Sequence, residues 1–155
     1  MRLDYQQFRC VLAQSAPPSL TAAPPRLAAV LALLVEREET NLLLIRRADR
    51  GDPWSNHLAL PGGHVDAADA NAQEAAYRET AEEVGIAAEA VGHLGDLGIF
   101  PTQLPELWVR VFVGQWQGDQ PPQAEPSEVA AVFEVPLSEL LRRHQLRQLV
   151  LRVGI

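Results

Sequence analysis

Between Leu60 and Ile86 the chain runs through a Pro-Gly-Gly turn, a short acidic loop and an Ala- and Glu-rich segment that stops on Gly85. This stretch constrains the fold more than any other, because its second half has one natural conformation. Ala, Gln, Glu and Arg favour a helix, and Gly85 can supply the left-handed residue that ends one. Asn71, followed three residues later by Glu74, resembles a capping box and predicts a helix start near Ala72. At about 100° per residue, Ala76, Tyr77, Thr80 and Val84 share one stripe. Glu79, Glu82 and Glu83 share another, at spacings i, i+3 and i+4.

These carboxylates are badly placed for a purely structural helix. They crowd the C-terminal turns, where the macrodipole disfavours negative charge by roughly 0.3–1 kcal/mol each. They also repel one another by roughly 0.2–0.5 kcal/mol per pair at helical-neighbour spacing. Arg78 alone is close enough in sequence to offset them. A solvated acidic face is the ordinary reading of a Glu-rich helix. A divalent, oxygen-loving cation would instead remove both penalties together.

The Gly-Gly turn followed by this run of charges resembles the Nudix box, the loop-helix-loop signature of the Nudix hydrolases. Its residues here are Gly63, Arg78, Glu79, Thr80, Glu82, Glu83, Gly85 and Ile86. The resemblance implies an α+β fold, an α/β/α sandwich in which helices flank a mixed, curved β-sheet. It also implies metal-dependent hydrolysis of a diphosphate that joins a nucleoside to another moiety. Glu79, Glu82 and Glu83 would then be metal ligands, with the Gly63 carbonyl as a further one. Arg78 would hold a neighbouring carboxylate in its rotamer. Oxygen donors and retained waters suit Mg²⁺, with Mn²⁺ as a substitute. The general base stays open between a motif glutamate and a carboxylate on a later loop. Glu128 is the candidate for that outside carboxylate or an extra ligand, the alternative being a solvated loop glutamate.

Length and composition fit one globular domain over 1–155, with residues 1–25 forming an N-terminal helix and a Pro-rich linker. A formal charge of −7 argues against a nucleic-acid backbone binder, yet a metal can reverse the local sign of a site for a small anionic substrate. Cys10 is the single cysteine, so no intrachain disulfide can form and a cytoplasmic setting is the default. It is expected to be a semi-buried apolar residue. The apolar run Leu27 to Val35 is too short to span a bilayer, and no long apolar core follows Arg2, so neither membrane span nor signal peptide is expected. A homodimer is left open.

Leu3 to Gln14 predicts a helix carrying Leu3, Phe8, Val11 and Leu12. Leu27 to Val35 and Leu42 to Ile45 predict a hairpin across the polar turn Glu36 to Asn41. His57 to Leu60 predicts a short strand. Ala90 to Phe100, Leu107 to Trp116 and Val129 to Val135 predict three more, with a helix starting near Pro136. Gln145 to Ile155 reads as a closing strand or a partner contact. Arg46 and Arg47 are solvated strand-end charges or a phosphate clamp, since guanidinium forks match phosphate geometry. Arg47 and Arg50 are candidates for the diphosphate or a 3′-phosphate, beside the Gly62 and Gly63 backbone. Trp54 stacks on a purine or pins its loop. His57 and His64 read as structural or substrate-contacting.

Three blocks narrow the resemblance. The first is Leu43-Leu44-Ile45-Arg46-Arg47 with Gly51 to Ser55 leading into Leu60-Pro61-Gly62-Gly63. The second is Val65-Asp66 and Asp69, with one residue more than usual before Arg78. The third is Pro126 to Val129 with Val132-Phe133 and Val135-Pro136-Leu137. Together they are similar to the coenzyme A pyrophosphatase branch. That implies cleavage of coenzyme A or acyl-CoA to 3′,5′-ADP and (acyl-)4′-phosphopantetheine. The alternatives are hydrolysis of ADP-ribose, dinucleotide or oxidised nucleotide substrates, or a non-catalytic module that senses a nucleotide.

Overall fold

The computed structural model describes residues 1–15 and 24–145. Seven strands form one mixed sheet between helices. After α1 (Tyr5–Gln14) come β1 (Arg26–Glu36), β2 (Thr40–Arg47), β3 (Leu58–Ala59) and β4 (Gly62–His64). Then follow α2 (Ala72–Val84), β5 (Val91–Pro101), β6 (Leu107–Trp116), β7 (Val129–Pro136) and α3 (Leu137–Gln145). The sheet order is β3-β2-β1-β6-β5, with β4 paired to β1 and β7 paired to β2. β1 and β6 run parallel and the other pairs are antiparallel. This is the α+β sandwich expected from the sequence.

The apolar run in β1 is continuous because both of its faces are covered. Ala29, Leu31, Leu33 and Val35 pack with Leu43, Ile45 and the Ala75, Ala76 and Val84 face of α2. Leu34 turns the other way and packs with Leu12 of α1, Leu94 and Val113. Thr80 sits fully buried on the packing stripe of α2, where its hydroxyl donates to the Ala76 carbonyl at 2.7 Å and so stays satisfied.

β1 and β2 pair only near their hairpin, Leu34–Glu36 against Thr40–Leu42. Farther along they separate, and the short strands enter: β4 pairs with Ala28–Val30 of β1 while β3 pairs with Ile45–Arg46 of β2. That splay opens the sheet where the site lies.

Helix α1 begins at Tyr5 because Asp4 caps it, Oδ1 accepting from the Gln7 amide at 3.0 Å. Cys10 is exposed rather than semi-buried, and Val11 is exposed as well. At helical spacing, the face that turns Phe8 and Leu12 to the sheet rotates both residues away from it. The linker residues 16–23 and the segment Leu146 to Ile155 lie outside the described residues. Among the described residues no helix is long and apolar enough to cross a membrane.

Candidate active site

Helix α2 starts and stops where its local sequence predicts. Asn71 Oδ1 accepts from the Glu74 amide at 2.9 Å, and Gly85 closes the helix at φ 69°. The Glu74 carboxylate accepts from the Ala70 amide at 2.7 Å, one residue upstream of the cap. These anchors set the rotation of the helix, and the rotation sorts its glutamates.

Glu79 and Glu83 are one turn apart, about 40° around the axis, and both line a cavity of about 540 Å³ at the splayed end of the sheet. Glu82 is turned about 100° from Glu83. It does not line the cavity; 57% of its side chain is exposed, and its carboxylate lies 3.3 Å from Arg78 Nη1. The trio expected on one stripe therefore divides into two inward carboxylates and one at the rim. Among the described residues no three acidic, histidine or cysteine side chains close to metal-ligating distance.

Two glycines let the helix reach the cavity. Gly63 pairs with Ala29, and a Cβ on Gly63 would overlap the Glu79 carboxylate. Gly62 pairs with Val30 at φ 144°, a conformation that favours glycine, and a Cβ there would overlap the Ala29 carbonyl. The Gly62 amide donates to Glu83 Oε2 at 2.8 Å.

Glu83 is only 2% exposed. Burial pushes its carboxyl up to about 7, and the charges of Glu79 and Glu128 push the same way, against the Gly62 amide and Arg47. Burial also raises Glu79, against the pull of Arg78. Arg47 Nη1 approaches Glu83 Oε1 only to 3.8 Å, and the buried Arg47 Nε has no hydrogen-bond partner among the described residues. Arg50 and Glu128 face each other across the same cavity at 3.6 Å. The predicted Arg47, Arg50, Gly62, Gly63, Glu79, Glu83 and Glu128 are thus brought together.

Arg78 stands behind them. Its Nε and Nη2 donate to Asp69 at 2.9 and 3.1 Å, and its Nη1 donates to Glu79 at 2.8 Å. The Asp69 carboxylate is almost fully buried, and the Arg78 guanidinium holds it below the usual carboxylate range. Asp69 entered the sequence reading only as part of a resembling block, and its role as the anchor of Arg78 was missed. A carboxylate nine residues upstream of Arg78, across a turn, leaves no periodic signal. Trp54, His57 and His64 also line the cavity, the first two in edge contact with ring centroids 6.1 Å apart. Arg110, the lone charge of its strand, pairs with Asp96 at 2.9 Å instead of reaching the site.

The donors fit a hard divalent cation in kind. They are carboxylate oxygens, and they repel one another in a partly dry setting where a dication would offset the repulsion.

Residues 25–152 match the NUDIX domain profile. The chain belongs to the Nudix family. It is 44% identical over 117 residues to a Cronobacter sakazakii protein named "Uncharacterized Nudix hydrolase NudL", covering 76% of this chain and 60% of that one. The Escherichia coli (strain K12 / DH10B) protein of the same name is 40% identical over 116 residues, 75% of this chain and 60% of its own. The chain therefore spans about 60% of the length of these curated Nudix relatives. Solved Nudix folds align at low identity. The Caenorhabditis elegans Ap4A hydrolase binary complex gives a TM-score of 0.62 at 20% identity, covering 76% of this chain and 84% of that one. The NUDIX domain of Shewanella oneidensis NrtR, complexed with ADP ribose, gives 0.60 at 18%, covering 90% and 93%. At such identities the likeness is one of Nudix fold.

Proposed function

We propose that this chain is a metal-dependent pyrophosphohydrolase of nucleoside diphosphate derivatives, acting on coenzyme A to give 3′,5′-ADP and 4′-phosphopantetheine. One observation carries the reading: Glu79, Glu83 and Glu128 share a cavity with Arg47 and Arg50. Acidic groups that hold a cation and guanidinium groups that hold phosphate are the two requirements of diphosphate cleavage. The sequence blocks that flank the box support the choice of coenzyme A.

Glu79, Glu83 and the Gly63 carbonyl would hold Mg²⁺, or Mn²⁺ in its place, with Glu82 entering from the rim. When bound, such an ion neutralises charge on the phosphoryl oxygens and lowers the pKa of water. Arg47, whose Nε has no partner among the described residues, takes a phosphoryl oxygen, and Arg50 takes the second phosphate or the 3′-phosphate. Glu128 is assigned as the base that takes a proton from the attacking water. Asp69 holds Arg78, and Arg78 holds Glu79 in position. Water adds to one phosphorus, the bridging P–O bond breaks, and the bridging oxygen leaves with the other phosphate. The described chain is read as one domain, with α1 packed on β5.

The test is a product analysis with Mg²⁺ or Mn²⁺ on coenzyme A, ADP-ribose, a dinucleoside polyphosphate and an oxidised nucleotide. Appearance of 3′,5′-ADP and 4′-phosphopantetheine supports the reading. ADP-ribose cleavage without coenzyme A cleavage rejects the branch. Tight nucleotide binding with no turnover of any compound makes the chain a sensing module.

A further inference from the structure

The Glu128 carboxylate lines the cavity with no hydrogen bond to hold it among the described residues. Its ion pair there is with Arg50, whose Nη1 stops 3.6 Å from Oε1, too long for a hydrogen bond. Where this carboxylate sits is therefore inherited from the backbone that carries it.

That backbone is held on both sides. The Glu128 amide donates to the Glu125 carbonyl at 2.9 Å, and the Glu128 carbonyl accepts from the Ala48 amide at 2.8 Å, just past β2. Glu125-Pro126-Ser127-Glu128 thus forms a hydrogen-bonded turn ahead of β7, with Pro126 at its second position, where the fixed φ of proline suits a turn. The Glu125 carboxylate closes this turn from within. Its Oε1 accepts from the Ser127 hydroxyl at 3.0 Å and from the Ser127 amide at 3.3 Å.

Glu125 is also where the turn meets the glutamate-bearing helix. Its amide donates to the Glu83 carbonyl at 2.9 Å, and the Gln123 amide donates to the Val84 carbonyl at 2.9 Å. Two of the carbonyls that α2 leaves open at its C-terminus are so satisfied. One residue thus holds the backbone of Glu83 through its N–H, that of Glu128 through its C=O, and the turn between them through its side chain. Only the third contact depends on the side chain, since every residue but proline offers the other two.

Stability does not account for that side chain. Glu125 is exposed, and the net worth of such a hydrogen bond to folding is modest. What the contact restricts is the turn, and a displacement of about 1 Å in a reacting group can cost about 10²-fold in rate. We infer that Glu125 is a positioning residue: its carboxylate, clasping Ser127, sets the turn that holds the Glu128 carboxylate in the cavity beside Arg50. The inference rests on the diphosphatase reading with Glu128 as the base, and goes beyond it by naming what orients that base.

The test is steady-state kinetics with Mg²⁺ on coenzyme A, or on ADP-ribose if the wild type cleaves only that. Glu125→Ala should lower kcat about tenfold and leave KM within about twofold. Glu125→Gln keeps an oxygen that accepts from Ser127 and should restore kcat to within about twofold of wild type. Ser127→Ala removes the same contact from the other side, should match Glu125→Ala, and serves if that variant does not fold. A double-variant cycle separates positioning from general damage. Glu128→Gln should itself lower kcat about 10²-fold or more, and adding Glu125→Ala to it should cost nothing further. Wild-type kcat in both Glu125→Ala and Ser127→Ala overturns the inference. So does a Glu125→Gln variant as slow as Glu125→Ala, or a loss that adds in full to that of Glu128→Gln. If the wild type turns over and Glu128→Gln matches it, the diphosphatase reading stands and this inference falls. If the wild type cleaves neither compound, both fall.

Discussion

Two arginine–glutamate pairs flank β2, and their geometry is opposite. Just before the strand, Arg37 grips Glu134 with Nε at 2.9 Å and Nη2 at 2.7 Å, its guanidinium lying 5.5 Å from the Trp116 ring centre. Every strong contact there is made, and Glu134 raises the Arg37 pKa above its ordinary value. At the strand's last residue, Arg47 stops 3.8 Å from Glu83, its buried Nε has no partner among the described residues, and it faces a carboxyl pushed up to about 7. The first pair bolts the hairpin turn to β7. The second holds unused capacity where a phosphate and a cation could use it. The difference teaches that the incomplete pair is the one that lies in the candidate site.

The widest separation between the two is expected in turnover. Glu83→Gln should lower kcat by about 10³-fold or more, as loss of a group acting in the transition state does, whereas Glu134→Gln leaves it within about twofold. Steady-state kinetics on coenzyme A reads both. Glu82→Gln sharpens the point: a loss as large as that of Glu83→Gln would bring the rim carboxylate into the metal's coordination sphere.

The next effect is on stability, and its sign is unusual for a carboxylate. Because the folded pKa of Glu83 is about 7 against a reference near 4.5, the folded state holds the extra proton between those values. Metal-free stability should therefore fall as pH rises from about 4.5 to 7, by up to about 3 kcal/mol. Urea unfolding in EDTA at pH 5 and pH 8 measures this. Glu83→Gln should flatten the dependence, and Mg²⁺ should restore stability at pH 8 in the wild type alone.

Arg47→Ala should raise KM by about 10- to 100-fold, the usual worth of a charge-assisted hydrogen bond to phosphate. Arg37→Ala should leave KM unchanged and lose only about 1 kcal/mol on unfolding, since the pair is part-exposed. The smallest effect concerns the loop that carries Arg50. Asn56 sits at φ 64°, so Asn56→Gly should be neutral within a few tenths of a kcal/mol, while Asn56→Val should cost about 1–2 kcal/mol by thermal melt.

Helix α2 was legible almost to the residue because its signals are local: Asn71 caps, Gly85 ends, and the small and apolar stripe repeats each turn. The strands were legible where apolar runs were long, and β3 fell inside the short strand read at His57 to Leu60. β4 was not legible, since a three-residue strand at Gly62–His64 exists only because β1 and β2 part and leave an edge to fill. In the site, the resemblance to the Nudix box implied Glu79, Glu83, Arg47 and Arg50 as candidates, and the structure lines one cavity with all four. Spacing alone could not show that Glu82 turns away, because i+3 and i+4 look equivalent until the helix is docked. The role of Asp69 was illegible for a further reason. It meets Arg78 across a turn, a contact that no periodicity records.

The paired glycines have one more implication. They form an aperture through the sheet, so the helix whose dry face cements one layer also brings Glu79 and Glu83 to the cavity. Ala75, Ala76 and Val84, fully enclosed, thereby become the mounting of the candidate site. Enlarging Ala76 to Val would lift that mounting, and the disturbance would surface as slower chemistry.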